Sequence, residues 1–258
     1  MPGYLTKQEC IAISGVADLH IRSLLDNQQF SDPQGLAALV GISAATWPLF
    51  GLLWPSGAEL AARMGQRPVT KGERILEIGC GLGLASLVGH RRGADMTASD
   101  CHPLAGLFLA NNLRLNGLAP MKYRHGLWGE VAHPASPADG SPHLPASAPG
   151  VQAAHDSGHT ANDGSVDVSG RFDLIMGSDV LYERDDSGGL ARFIEDHTLP
   201  SAEVWIVDPH RGNRPAFNRR MAHLGFDLSE QRLDRLATPL QTAYRGRMLT
   251  YTRTAAAH

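Results

Sequence analysis

Residues 75–83 read Ile-Leu-Glu-Ile-Gly-Cys-Gly-Leu-Gly, and within them Glu77-Ile-Gly79-Cys-Gly81-Leu-Gly83 decides the fold. The short apolar run ILEIG (75–79) predicts a buried strand, and LASLVGHRR (84–92) predicts a helix directly after the glycines. Glycines between them let the backbone turn tightly and approach a ligand with no Cβ in the way. The helix then points unpaired N–H groups at whatever occupies the crevice. A dinucleotide-binding turn places its third glycine five residues after the first. Counting from Gly79 that position is Leu84, so the dinucleotide pattern fails. The chain also holds no G-x-S-x-G and no G-x-x-x-x-G-K-[ST], which removes the common hydrolase elbow and the phosphate loop.

Outward from this turn, strand and helix patterns alternate. Strands are predicted at 94–99, 172–178 and 203–208, with a weaker one at MKYRHG (121–126). Helices are predicted at 103–116, 188–197 and 214–225, and FDLSEQRL and RMLTYTR supply two final strands. The expected class is α/β: a Rossmann-like, doubly wound sheet of about seven mostly parallel strands, covered on both faces. Residues 1–70 read as an N-terminal helical accessory segment. Two short helices are expected before Pro33, a third capped by Ser31 or Asp32, and a fourth at 57–64 capped by Ser56. The core is expected over 71–258, interrupted at 131–170. In those 40 residues Ala, Ser, Gly and Pro supply 24, and Lys, Arg, Phe, Trp and Tyr are missing. Such a composition cannot bury enough apolar surface to offset its ordering entropy, so a disordered insertion is expected there.

Lys+Arg is 23 and Asp+Glu 26, a net charge of -3, which lacks the basic field of a non-specific nucleic-acid or anionic-membrane binder. Cys10, Cys80 and Cys101 form no CxxC pair, which argues against a disulfide framework or a cysteine-rich zinc site. No apolar stretch approaches the roughly 18 residues of a membrane span. A cytoplasmic protein is expected.

Asp100 ends the second strand, 21 residues after Gly79, where an acid can accept hydrogen bonds from ribose hydroxyls; capping the following helix is the competing role. With this acid, the spacing E-x-G-x-G-x-G resembles the first motif of the seven-strand, class I S-adenosylmethionine-dependent methyltransferases. Four further segments resemble their family 16, lysine-methyltransferase-like group: Asp179-Val-Leu-Tyr182 as its D-x-x-Y, LLWPSGAELA (52–61) as its W-P-x-G, GLWGE (126–130) as its Trp-Gly segment, and DPHRGNRPAF (208–217) as the D-P-x-R stretch of bacterial members. The resemblance covers roughly 45–130 and 171–226. It implies S-adenosyl-L-methionine as cofactor. Gly79, Gly81 and Gly83 would hold its methionine portion, with Glu77 supporting the loop, Asp100 the ribose and Trp128 the adenine region. Trp54 and Ser178 would lie beside the cofactor. Asp179 and Tyr182 would form the acceptor-side, catalytic site, and no metal is required.

The chemistry this implies is methyl transfer to a nitrogen of a protein side chain, lysine-type. A free lysine with pKa near 10.4 costs about 4.6 kcal/mol to deprotonate at pH 7. A carboxylate such as Asp179 can orient the amine, and an aromatic face such as Tyr182 can hold it while cationic. Two alternatives stay open: a small-molecule N- or O-methyltransferase, and a non-enzymatic S-adenosylmethionine-binding protein. The sequence disfavours nucleic acid as partner and leaves the protein substrate unidentified. Arg211, Arg214, Arg219 and Arg220 form a solvated helix face or a guide for an acidic partner.

Overall fold

The computed structural model describes residues 3–128, 167–182, 187–210, 212–237 and 243–255. The sheet strands are β3 (Arg74–Ile78), β4 (Asp95–Asp100), β5 (Lys122–His125), β6 (Phe172–Ser178), β7 (Thr198–Asp208), β8 (Asp227–Arg232) and β9 (Arg247–Arg253). They form one seven-stranded sheet in the order β5-β4-β3-β6-β7-β9-β8. The first five in that order run parallel, while β9 pairs antiparallel with both β7 and β8. After β3 the chain winds outward through β4 to β5, then returns to lay β6 on the other side of β3. Such a reversal opens a crevice at the carboxyl ends of the strands.

Strand alternation divides the core between the two faces. Ile75, Leu174, Met176, Trp205 and Val207 pack with α2 (Pro55–Gln66), α3 (Leu84–Arg91) and α4 (Ala105–Leu115). Leu76, Ile175, Val204, Ile206 and Leu249 face the opposite way, onto α5 (Gly189–His197) and α6 (Arg214–His223). The central strands β3, β6 and β7 are apolar on both faces because helices cover both, whereas the edge strand β8 is exposed throughout.

The N-terminal segment departs from expectation. In place of two helices before Pro33 lies an antiparallel hairpin, β1 (Thr6–Ile11) with β2 (Leu19–Leu24). In β2, Leu19, Ile21 and Ser23 are buried in the alternation of a strand, and Leu24 at its end joins the same core as α4. Asn112 and Asn116 of α4 fix the hairpin: Arg22 N–H donates to Asn112 Oδ1 at 2.8 Å, and Asn116 Nδ2 to the His20 carbonyl at 2.8 Å. The third expected helix is a single turn, α1 (Leu36–Leu39), and Asp32 accepts from the N–H groups of Ala37 and Ala38. A 3-10 turn, Trp47–Gly51, leads into α2. Ser56 does not cap α2; its hydroxyl lies 3.0 Å from that of Tyr244.

Most of the expected insertion lies outside the described residues. Its last part contradicts the expectation of disorder. Asp167 bridges to His125, the Val168 N–H donates to the His125 carbonyl at 3.0 Å, and Val168 is buried in the core. An apolar anchor within 131–170 thus returns the chain to the sheet. Among the described residues no helix is long and apolar enough to cross a membrane.

Candidate functional site

The carboxyl ends of β3, β4 and β6, with the loop after β7, open into a cavity of about 1000 Å³. Of the residues singled out from the sequence, Trp54, Glu77, Gly79, Gly81, Asp100, Trp128, Ser178, Asp179 and Tyr182 all line it. Gly83 does not. It sits at φ 75° as the N-cap of α3, and a Cβ there would lie 2.5 Å from Leu109 Cδ1. The glycine is thus required by packing of α3 on α4.

Two glycines of the turn form the cavity floor. Gly81 has φ 50°, and a Cβ on it would come 2.7 Å from the Phe50 carbonyl oxygen. Gly79 has φ 57°, and a Cβ would meet Val180 and the Trp128 ring at 3.0 and 3.3 Å. Both the left-handed backbone and the near walls exclude a side chain.

Two buried acids hold this turn. Glu77 accepts the Ser86 N–H at 2.7 Å and so caps α3 from the preceding strand. Burial, opposed by that hydrogen bond and reinforced by the charge of Asp100, pushes its carboxyl up to about 7. Asp100 Oδ2 accepts the Gly81 N–H at 2.9 Å and Oδ1 the His102 N–H at 2.8 Å. Burial also raises the Asp100 carboxyl. Asp100 therefore clamps the glycine turn to the loop after β4, and each oxygen keeps a lone pair for a ligand hydroxyl. Cys80, in the same wall, has its thiol raised well above its usual value by burial, so it stays protonated.

At the other end, β6 finishes with Ser178, and Asp179 follows in the left-handed region at φ 59°, its N–H donating to the Val207 carbonyl at 2.8 Å. Tyr182 is 47% exposed at the mouth. Trp54 donates Nε1–H to the Leu49 carbonyl at 2.9 Å, and Trp128 packs edge-on to Phe193. Both rings are thus fixed by the scaffold and also border the cavity.

Sequence reading missed part of the wall. Residues 38–42 and Leu49–Phe50 cover one side, bringing the N-terminal segment into the site. His102 is buried, stacks on Phe50 with ring centroids 3.6 Å apart, and accepts the Leu104 N–H at Nδ1. Burial lowers it to about 3, so it is neutral with its proton on Nε2. Asn213, whose Nδ2 donates to the Leu181 carbonyl at 2.9 Å, and Arg220 line the acceptor end. A D-C-H-P run and an Asn before Arg-Pro are weak signals on their own. Of the four arginines noted as a face or guide, Arg220 lines the cavity and Arg211 lies outside the described residues.

No protein-family model matches the chain. Over 97% of its length it superposes, with TM-score 0.52 and 16% identity, on 51% of a 16S rRNA N2 G1207 methyltransferase from T. thermophilus in complex with AdoMet and guanosine. The chain has the seven-strand methyltransferase fold. In sequence it is 25% identical over 174 residues to the electron transfer flavoprotein beta subunit lysine methyltransferase of Mus musculus, covering 66% of this chain and 53% of that protein. It is 28% identical over 173 residues to a protein N-terminal and lysine N-methyltransferase of Yarrowia lipolytica, covering 64% of this chain and 59% of that one. The chain thus spans only a little over half the length of these relatives. On the methyltransferase fold, the described cavity occupies the ligand crevice at the strand ends.

Proposed function

We propose that this chain is an S-adenosylmethionine-dependent methyltransferase that acts on a side-chain nitrogen of a protein, lysine-type. The observation that carries the reading is one cavity with two chemically distinct ends: the Gly79–Gly81 floor clamped by Asp100, and the Asp179–Tyr182 mouth. The floor fits the cofactor. It offers backbone without side chains, a carboxylate for ribose hydroxyls and the Trp128 ring for the adenine region. Asp100, held by the Gly81 and His102 N–H groups, turns its remaining lone pairs toward the ligand. When bound, the cofactor supplies an already activated methyl on sulfur.

The chain's own residues then have little bond chemistry to perform. Their work is alignment, which can contribute several kcal/mol to a displacement. Asp179 accepts a hydrogen bond from the incoming amine and fixes its direction. Tyr182, half-exposed at the rim, lays a ring face against the cationic amine before its proton is lost to water. The names of the two curated relatives support a protein acceptor over a small molecule.

Radiolabelled cofactor added to a cell extract, with mass-spectrometric identification of the product, tests the acceptor. A labelled protein is expected, a labelled small molecule would favour the alternative, and binding without transfer would refute catalysis. Asp179→Asn and Tyr182→Phe test the mouth. Asn tolerates the left-handed backbone at position 179, so the fold is kept while the charge is lost. Both variants should bind S-adenosylhomocysteine as the parent does and lose methyl transfer in kcat and kcat/KM alike. Parent-level transfer by both would remove the acceptor assignment.

A further inference from the structure

Beside the main cavity lies a second one, of about 440 Å³, where the chain passes from β8 to β9. Three arginines line it, Arg232, Arg235 and Arg245, together with His210 and a single carboxylate, Asp234. This local excess of positive charge stands against a chain whose net charge is -3. The two described ends of the connection are paired through their backbones. Leu233 N–H donates to the Gly246 carbonyl at 3.0 Å, and Arg235 and Tyr244 exchange backbone hydrogen bonds at 2.8 and 2.9 Å.

The arginines are held unequally. Arg235 pairs with Glu59 of α2, yet its Nε is buried with no hydrogen-bond partner among the described residues. Arg232 pairs with Asp234 at 3.5 Å, with side chains 71% and 47% exposed, so the pair is weak and yields to a better anion. Arg245 is exposed and makes no hydrogen bond or ion pair with the described residues.

The two cavities share walls. The loop after β7 lines the basic cavity with His210 and the main cavity with Gly212 and Asn213. Tyr244 lines the basic side, and its hydroxyl meets Ser56, between Trp54 and Gly57 of the main wall. A polypeptide reaching Asp179 can therefore continue into the basic cavity within a few residues. We propose that this cavity docks a short acidic segment of the protein whose side chain enters the main cavity; this rests on the protein acceptor proposed above. Arginine forks suit paired carboxylates. Nucleic acid is less well matched, because it needs a basic track along many phosphates and here the charge is confined to one small cavity in an acidic chain.

The test uses two fluorescein-labelled lysine peptides, one flanked on both sides by glutamates and one by glutamines, with binding read by anisotropy. The glutamate peptide should bind about tenfold more tightly at low salt and lose that margin at about 0.5 M salt. Arg232→Ala/Arg245→Ala should remove most of the margin with an unchanged melting temperature. The control Lys71→Ala/Lys122→Ala, which deletes two exposed cations elsewhere, should keep it. Equal affinity for both peptides overturns the proposal. So does an equal loss in both double variants, or tighter binding of a single-stranded RNA of the same length through the same arginines. Methyl transfer to the peptides is scored separately. Charge-dependent binding through these arginines without any lysine methylation would leave the docking site standing and remove the lysine acceptor. Methylation of both peptides without preference would do the reverse.

Discussion

Replacing Glu77 by glutamine should flatten part of the protein's pH–stability curve. Glu77 is 3% exposed, and its carboxyl rises from an ordinary 4.5 to about 7 on folding because burial disfavours its charge. Between those values the folded chain holds a proton that the unfolded chain has released. The resulting stabilisation is fully present below pH 4.5 and is lost as pH rises through 7. With about 1.4 kcal/mol per pH unit, the parent should lose about 2–3 kcal/mol between pH 5 and pH 8 from this group alone. Glutamine keeps the shape and an oxygen that can accept the Ser86 N–H, but it has no proton to lose. Urea unfolding of both proteins at the two pH values measures the effect. The stability of the parent minus that of Glu77→Gln should fall by that amount from pH 5 to pH 8. An unchanged difference would show that Glu77 is charged in the folded state throughout, and would refute the assignment of burial as its dominant influence.

Asp100→Ala should weaken S-adenosylhomocysteine binding, read by calorimetry, by about 1.5–3 kcal/mol, because it deletes a charged acceptor and unclamps the Gly81 and His102 N–H groups; tight NAD binding with no response to S-adenosylhomocysteine would refute the cofactor. Gly81→Ala should cost about 1–2 kcal/mol for the backbone alone, and more for the contact with the Phe50 carbonyl, lowering the melting temperature and the affinity together. Replacing residues 133–166 by a short Gly/Ser linker should change stability by no more than about 1–2 kcal/mol, since loop length enters logarithmically. Extending the deletion through Val168 should cost more, because that side chain is buried.

The sheet was legible because its signals are redundant. Each of β3, β6 and β7 is an apolar run ended by Gly, Ser or Asp, and α4 and α5 between them bury residues at helical spacing. The hairpin was not legible because β1, TKQECI, has no fully buried position and therefore no apolar face to betray its period. Only LHIRSL in β2 alternates, and six residues can also be read as a helix fragment. In the site, Glu77, Gly79, Gly81 and Asp100 declared themselves through spacing along adjacent parallel strands, where register converts sequence distance into proximity. Phe50 and Tyr244 reach their places through long-range packing that no local pattern encodes. Tyr244 meets Ser56 across 188 residues of chain.

The hairpin shares no ladder with the seven-stranded sheet. The segment that follows it supplies residues 38–42 and Phe50 to the cavity wall. Opening that wall would uncover Trp47 and Phe50 but would break no pairing of the main sheet. Its opening free energy is therefore a local quantity, smaller than that of global unfolding. On the function proposed above, if a nucleoside product leaves through that local opening and not past Tyr182, its residence time is governed from the N-terminal side. Amide exchange in residues 38–50, slowed by bound ligand, would then serve as a clock for product release independent of the rate of the chemistry.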